Sequence, residues 1–449
     1  MQKIACLSAV LSATAAVGTH AIRKGIRGKY FLGVLVSLNL LPALAIAQAD
    51  PFAGSEVLHA DALVSAVLDD NPLLPAAQSA WEAAESGIAQ AGAFDDPMLS
   101  TIAAPKSLGQ YGMDPGVGIE FSQRLPWPGK RGLREEIARV EARAVEQMIP
   151  NTRLALIVLA KEGFADWYLV HAGLRVNEAN RQLWREVKEI AEINYANGMG
   201  SQQDVLQADL EYQMLGQREV VLQRQQAEVQ AQLNRLLNRS ANKALLPPAP
   251  LSEPSDLQSL PELRALALLQ RTELEAAEAE LEADSVRVKL AQREFYPDFE
   301  LSTAYSSMWS DTTMRWTVGV GINIPLGRAK RRAAVSGALA KETESNWRLQ
   351  YLALQVREEV EQAHARVEES HHLLALHEDQ LLPLARANLD AARTAYQTRT
   401  GSLESLLRAE RSLYETELNF EKVRAEYYRN MASLERAVGG WDHSTAAVR

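Results

Sequence analysis

The sequence predicts a mainly α-helical chain with a small β part, built as an internal tandem duplication. Three observations predict it. Three segments recur in the same order about 200 residues apart. Strict two-residue alternation marks short strands, and two stretches of 67 and 69 residues are almost free of proline and glycine.

The repeat is visible residue by residue. V-G-I-E-F-S-Q-R-L-P-W-P-G-K-R around Ile119 matches T-V-G-V-G-I-N-I-P-L-G-R-A-K-R-R around Val318, and Pro126 falls on Pro325 at an offset of 199. Y-A-N-G-M-G-S-Q-Q-D-V-L-Q-A (Tyr195 to Ala208) matches Y-Q-T-R-T-G-S-L-E-S-L-L-R-A (Tyr396 to Ala409) at an offset of 201. D-D-P-M-L-S-T from Asp95 matches Y-P-D-F-E-L-S-T from Tyr296. Self-similarity at a fixed period signals repeated structural units. Each copy therefore holds a short helix, a strand pair, a very long helical stretch and a second helix. The first copy takes residues 50–240 and the second 261–440, with a Pro/Ser-rich linker at 241–260 and a tail at 441–449.

Residues 1–49 read as a secretory signal peptide. They carry Lys3, Arg23, Lys24, Arg27 and Lys29 and no acid, then the apolar run Tyr30 to Leu41, then small residues ending Ala45-Ile46-Ala47-Gln48-Ala49. A basic segment, an apolar segment and an A-x-A site are the parts of such a signal, and the apolar run is short for spanning a bilayer. Cys6, the sole cysteine, lies in this segment, so thiol and disulfide chemistry are not expected. Removing the five basic residues takes the formal charge from −10 to −15, and an acidic chain without a basic run excludes nucleic acid as a partner.

The short helices are expected over about 60–93 and 261–294. Between Trp316 and Ile324 one face is Trp316, Val318, Val320, Ile322 and Ile324, and the other is Thr317, Gly319, Gly321 and Asn323. That is a strand with one apolar and one small, polar face. Phe299 to Tyr305 alternates likewise. In the first copy Val117 to Leu125 alternates more weakly, and Met98 to Ala104 more weakly still. A soluble sandwich fits the alternation alone equally well. The strands are, however, about the length that crosses a bilayer at a tilt. Trp127, Tyr296 and Trp316 sit at strand ends, where interfacial girdles form. A secreted chain without a spanning helix enters an outer membrane only as a barrel.

The long stretches run from Lys130 to Ala196, with Pro150 as the sole proline, and from Arg328 to Tyr396, with Gly337 and Pro383 as the sole breakers. Each would extend about 100 Å if continuous. Gly200-Ser201 and Gly401-Ser402 then turn each chain into a second helix. There Leu215, Leu222, Val229 and Leu236 recur by heptads, as do Leu406, Leu413, Phe420, Tyr427 and Leu434. Four strands cannot close a barrel, and open edges cannot face lipid. Three chains would supply twelve strands and a lumen.

With this order of elements the chain resembles the outer-membrane efflux protein family, the TolC-like channels, and possesses features of its heavy-metal branch in P-W-P-G-K-R. The resemblance covers the mature sequence and rests on the duplicated order, Q-R-L-P-W-P-G-K-R, N-I-P-L-G-R and the two G-S turns. It implies a trimeric twelve-stranded outer-membrane β-barrel, four strands per chain, continued by a long α-helical periplasmic tunnel. It implies a homotrimer in outer-membrane lipid, a periplasmic adaptor (membrane fusion) protein and an inner-membrane pump of RND type. The duct would carry metal ions or small toxic molecules passively.

The resemblance places Gly200, Ser201, Gly401 and Ser402 at the periplasmic tip and carries the family's closing contacts onto Asp204 and Tyr396. The family arginine position holds Gly401, so Arg399 or Arg408 would assist. Asp204 as a residue complementing the dipole of a helix N-terminus is the equal alternative. Trp127, Lys130, Arg131, Tyr296 and Trp316 are expected to anchor the barrel at the membrane interface. His364, His371, His372 and His377 lack acidic or cysteine partners at ligand spacing and suit a solvated or interhelical role. Met98, Met113, Met308 and Met314 would suit soft Cu(I) or Ag(I) in transit, or simply fill apolar space. No nucleophile elbow, phosphate loop or zinc spacing is present, so neither an enzyme nor a cofactor is expected. The reading from another class is a periplasmic coiled-coil scaffold or adaptor without pore activity.

Overall fold

The computed structural model describes residues 52, 54–104, 116–251, 258–309 and 311–440. The expected signal peptide, Cys6, Met113 and the tail at 441–449 lie outside the described residues.

In the first copy α1 (Ala60–Asp70) and α2 (Leu73–Ala91) lead to β1 (Met98–Ala103) and β2 (Val117–Leu125). Then come α3 (Lys130–Glu146), α4 (Met148–Ala196) and α5 (Gln202–Leu236). In the second copy α6 (Leu260–Gln270) and α7 (Thr272–Arg293) precede β3 (Phe299–Ser306) and β4 (Trp316–Ile322). α8 (Arg328–Leu376), α9 (Leu382–Gln397) and α10 (Leu403–Val438) complete it. The short helix of each copy is thus two helices. The first breaks at Asn71-Pro72, where proline has no amide to donate. The second breaks at Arg271, whose extended backbone starts α7 and whose buried guanidinium grips Glu273, Glu359 and the carbonyl of Ala437.

The long stretches are also interrupted. The first pauses at Gln147, three residues before Pro150. The second passes through one π-helical turn, His377–Leu381, just before Pro383. A π turn absorbs the missing amide without ending the rod. The core runs along the helices in separate clusters, as expected of a rod. Phe164, Trp167 and Leu233 join α4 to α5, while Val356, Val360 and Val367 of α8 meet Leu434 and Val438 of α10.

The 241–260 segment is no loose tether where it is described. Leu58 and Pro248 form a parallel bridge, Trp167 donates its indole N–H to the carbonyl of Leu246 at 2.9 Å, and Ala249 and Leu251 are buried in the first-copy core.

The four strands form one antiparallel sheet in the order β1-β2-β3-β4, so the two copies meet at β2 and β3. The register aligns Leu99 with Phe121. Phe121 faces Thr303, and Thr303 faces Val318. One sheet face therefore carries Leu99, Ile119, Phe121, Leu301, Trp316, Val318 and Val320, all exposed, with Val318 at 84%. The opposite face carries Gly118, Glu120, Ser302, Gly319 and Gly321, with Ser100 flanked by the exposed Met98 and Ile102 on β1. No helix covers the apolar face, and β1 and β4 are unpaired edges among the described residues. Nor is any described helix long and apolar enough to cross a membrane.

Candidate functional site

Two places in the fold gather the residues singled out from the sequence: the turns at the far ends of the helical hairpins, and the junction between sheet and helices.

At the first turn α4 ends in a left-handed residue, Gly198, with φ 69°. Gly198 donates its N–H to the Tyr195 carbonyl at 2.9 Å, and Met199 donates to the Asn194 carbonyl at 2.8 Å. At the second turn Arg399 donates to the Tyr396 carbonyl at 3.2 Å and Thr400 to the Ala395 carbonyl at 2.9 Å. Both pairs satisfy orphan carbonyls at a helix end in the same way. The second turn does so with a non-glycine residue, Arg399, at φ 62°. Gly200 and Gly401 follow because the chain folds back onto the last helical turn. A Cβ would stand 3.1 Å from the Asn194 Cβ at Gly200 and 2.9 Å from the Ala395 Cβ at Gly401.

Ser201 then caps α5. Its Oγ accepts from the Asp204 amide at 3.1 Å, and the Asp204 carboxylate accepts from the Ser201 amide at 3.3 Å. This reciprocal box satisfies two orphan donors and places a negative charge at the positive helix end. In the second copy the Ser402 Oγ accepts from the Ser405 amide at 3.3 Å, and the Ser405 hydroxyl donates to the Ser402 carbonyl at 2.7 Å. Asp204 is therefore engaged first with its own helix.

Tyr396 is nevertheless close enough to sense Asp204. Burial pushes its hydroxyl above the ordinary value, a hydrogen bond with Asn194 pulls it down, and the Asp204 charge adds to the rise. Asn194 is a site residue that the sequence reading missed. Its only sequence signal is its place directly before Tyr195, where the second copy has Ala395. Arg408 is not drawn to Asp204; it pairs with Glu404 one turn away on α10, and both are exposed. Arg399 shapes the turn and makes no ion pair with Asp204 among the described residues.

At the junction, Trp127 stacks on Tyr296 at 5.2 Å and on Phe299 at 5.7 Å between ring centroids. The guanidinium of Arg131 lies 4.1 Å over the Phe94 ring. Trp316 is 69% exposed and packs on Tyr305 at the opposite end of the sheet, so aromatics mark both ends of the strands. Lys130 departs from the surface-anchor expectation. Its side chain is 1% exposed, and its ammonium donates to Glu294 at 3.2 Å, to the Tyr296 carbonyl at 3.0 Å and to Asp298 at 2.9 Å. The reason is that α3 starts beneath the α7–β3 connection, whose carboxylates and carbonyl replace water around the ammonium. Burial would raise the Asp298 carboxyl, but the Trp127 amide and Lys130 carry it below its ordinary value.

His364 lies 3.6 Å from Glu368, and the His371 ring sits beside Tyr427. Among the described residues no group of three or more His, Cys, Asp or Glu is placed to hold a metal ion. Met98, Met308 and Met314 are exposed on the strands and the β3–β4 loop.

Known proteins share this arrangement. The sequence pattern of the family described as "Outer membrane efflux protein" matches residues 263–440. The cation efflux system protein CusC of Escherichia coli O6:H1 is 24% identical over 334 residues, 72% of each chain. Solved structures of CusC superpose with a TM-score of 0.72 at 20% identity, over 88% of this chain and 96% of that one. The outer membrane protein VceC of Vibrio cholerae gives 0.71 at 20% identity over 85% and 96%. The outer-membrane channel OprN gives 0.72 at 20% identity over 85% and 90%. The fold is that of these channels: a small antiparallel sheet of four strands continued by long helices.

Proposed function

We propose that this chain, which belongs to the outer membrane efflux protein family, is the passive exit duct of a tripartite efflux system in the cell outer membrane. Three copies close a twelve-stranded barrel and a periplasmic helical tunnel. An inner-membrane pump of RND type expels the cargo, metal ions or small toxic molecules, and a periplasmic adaptor joins the pump to the tunnel mouth.

The observation that carries this reading is the sheet. The strands have six to nine residues and rise about 20–30 Å; the longest, β2, at the usual barrel tilt covers an apolar band about 25 Å tall. An uncovered apolar face with aromatics at both ends suits lipid, and the opposite face, small or polar along β2, β3 and β4, suits a wet lumen. Four strands leave two open edges, which neighbouring copies would pair.

At the tip, Asn194 and the charge of Asp204 both act on the Tyr396 hydroxyl, and this nearness of the two turns supports a closed resting state held by short-range polar contacts. A duct of this kind needs no reacting group; its work is to keep water-lined passage open at one end and gated at the other. Outer-membrane fractionation with gels run before and after heating tests the assembly: a band of three chains that collapses to one on boiling is expected. Recovery as a soluble monomer would refute it. For the gate, Asp204→Ala is expected to raise ion leakage, and unchanged conductance would remove Asp204 from it.

A further inference from the structure

Between α4, α5 and α10, on the tip side of the hairpins, lies a cavity of about 270 Å³ bounded by Trp184, Glu211, Glu410 and Tyr414. A neighbouring cavity of about 450 Å³, walled by Val221, Leu222 and Leu418, shares Met214, Arg218, Tyr414 and Glu415 with it. Together they make a groove with an acidic end and an apolar end. Glu410 is 1% exposed, and neither of its carboxyl oxygens has a hydrogen-bond partner. A buried ionised carboxylate without a partner is strongly disfavoured, so this one calls for a cation or a proton.

The cations nearby are already committed. From α5, Glu211 takes the guanidinium of Arg411, and Arg218 lies 4.7 Å over the Tyr414 ring. From α9, Arg393 acts on Glu410 but is paired with Glu186 at 2.9 Å. From α10 come Arg411 and the further carboxylate Glu415, while the cavity's α4 wall, Asn180 and Trp184, carries no charge. The cavity lining thus holds three carboxyl groups against two guanidiniums.

We propose that this groove binds a monocation carried on an apolar body, such as a protonated arylalkylamine, with its ammonium between Glu410 and Glu211 and its apolar part along Met214, Val221, Leu222 and Leu418. The groove has the size and lining of a small-molecule site, with Trp184 and Tyr414 in its wall. In the empty site Glu410 keeps a proton: burial and the Glu211 charge push its carboxyl up to about 8, against the pull of Arg393. The amine enters as an ammonium and Glu410 becomes a carboxylate, so each binding event near pH 7 releases about one proton to the buffer. An occupant also competes with Arg411 for Glu211, the ion pair that joins α5 to α10. The pocket lies within one chain and stands whether or not the protein conducts.

The test is calorimetry on the full-length assembly in amphipol with 4-phenylbutylammonium, and with 4-phenylbutanol as the neutral control, in two buffers of different ionisation enthalpy. Saturable binding of the amine but not the alcohol is expected, with about one proton released. Affinity should rise up to tenfold per pH unit below about pH 8, the value to which Glu410 is pushed. Glu410→Gln should lose at least tenfold in affinity together with the proton release, while the assembly stays intact on unheated gels. Glu211→Gln should weaken binding and move the pH dependence downward, which keeps the proposal testable if the first variant fails to assemble. Absence of amine binding, equal binding of alcohol and amine, or full affinity in Glu410→Gln would each overturn it.

Discussion

The two copies of the repeat put the same backbone events at the same places and secure them with different side chains. At the junction the first copy buries Lys130 under the second copy's α7–β3 connection, while Arg328, which opens α8 as Lys130 opens α3, is exposed. At the tip both hairpins end in a left-handed residue, glycine in one and arginine in the other. After the turn, a Ser–Asp box caps α5 and a Ser–Ser pair caps α10. Duplication therefore preserves geometry more strictly than chemistry. The unequal chemistry also points one way: the first copy reaches into the second at the junction through Lys130.

The largest expected effect sharpens that asymmetry. Lys130→Met leaves the half-exposed Glu294 and the less exposed Asp298 without their cation and should cost about 1–3 kcal/mol, read from the denaturation midpoint. Arg328→Met should stay within about 0.5 kcal/mol. Equal losses would mean that the two helix-opening cations do the same work, and the comparison would fail.

Next come the left-handed positions, where the copies should respond with opposite signs. Gly198→Ala forces a side chain into that conformation and should cost about 1–2 kcal/mol. Arg399→Gly relieves the same strain and should gain up to about 1 kcal/mol, less what glycine's flexibility takes back. Thermal unfolding of both variants checks the pair, and a loss in both would show that Arg399 makes contacts worth more than its strain. The smallest effect is at the caps. Asp204→Ala should cost about 1 kcal/mol, and Ser405→Ala within about 0.5 kcal/mol. The reverse order would show that the Ser–Ser pair, not the box, is the stronger lock.

Much of this was legible in the chain. Val117 to Leu125 alternates weakly, yet β2 has those bounds, and the second helices have the expected length of about 35 residues. Alternation and heptads are local signals, and local signals survive. What was not legible depends on distant partners. Lys130 reads as a surface lysine after P-W-P-G, because its carboxylates lie 164 and 168 residues away. Glu410 reads as one more solvated glutamate in a heptad helix, and only the packing of α4 and α5 against α10 buries it. Asn71-Pro72 carried a visible break signal, whereas Arg271 did not, since its extended backbone is stabilised by Glu359 on α8. The linker's proline and serine content hid Leu246, Ala249 and Leu251, which pack against the first-copy core.

The central claim is that three copies of this chain close a water-filled outer-membrane channel. Planar-bilayer recording of the unheated protein purified from outer membranes tests it most directly. Uniform, discrete conductance steps that vanish once the protein is boiled to single chains are predicted. A bilayer whose conductance stays unchanged on addition of the intact assembly would contradict the account.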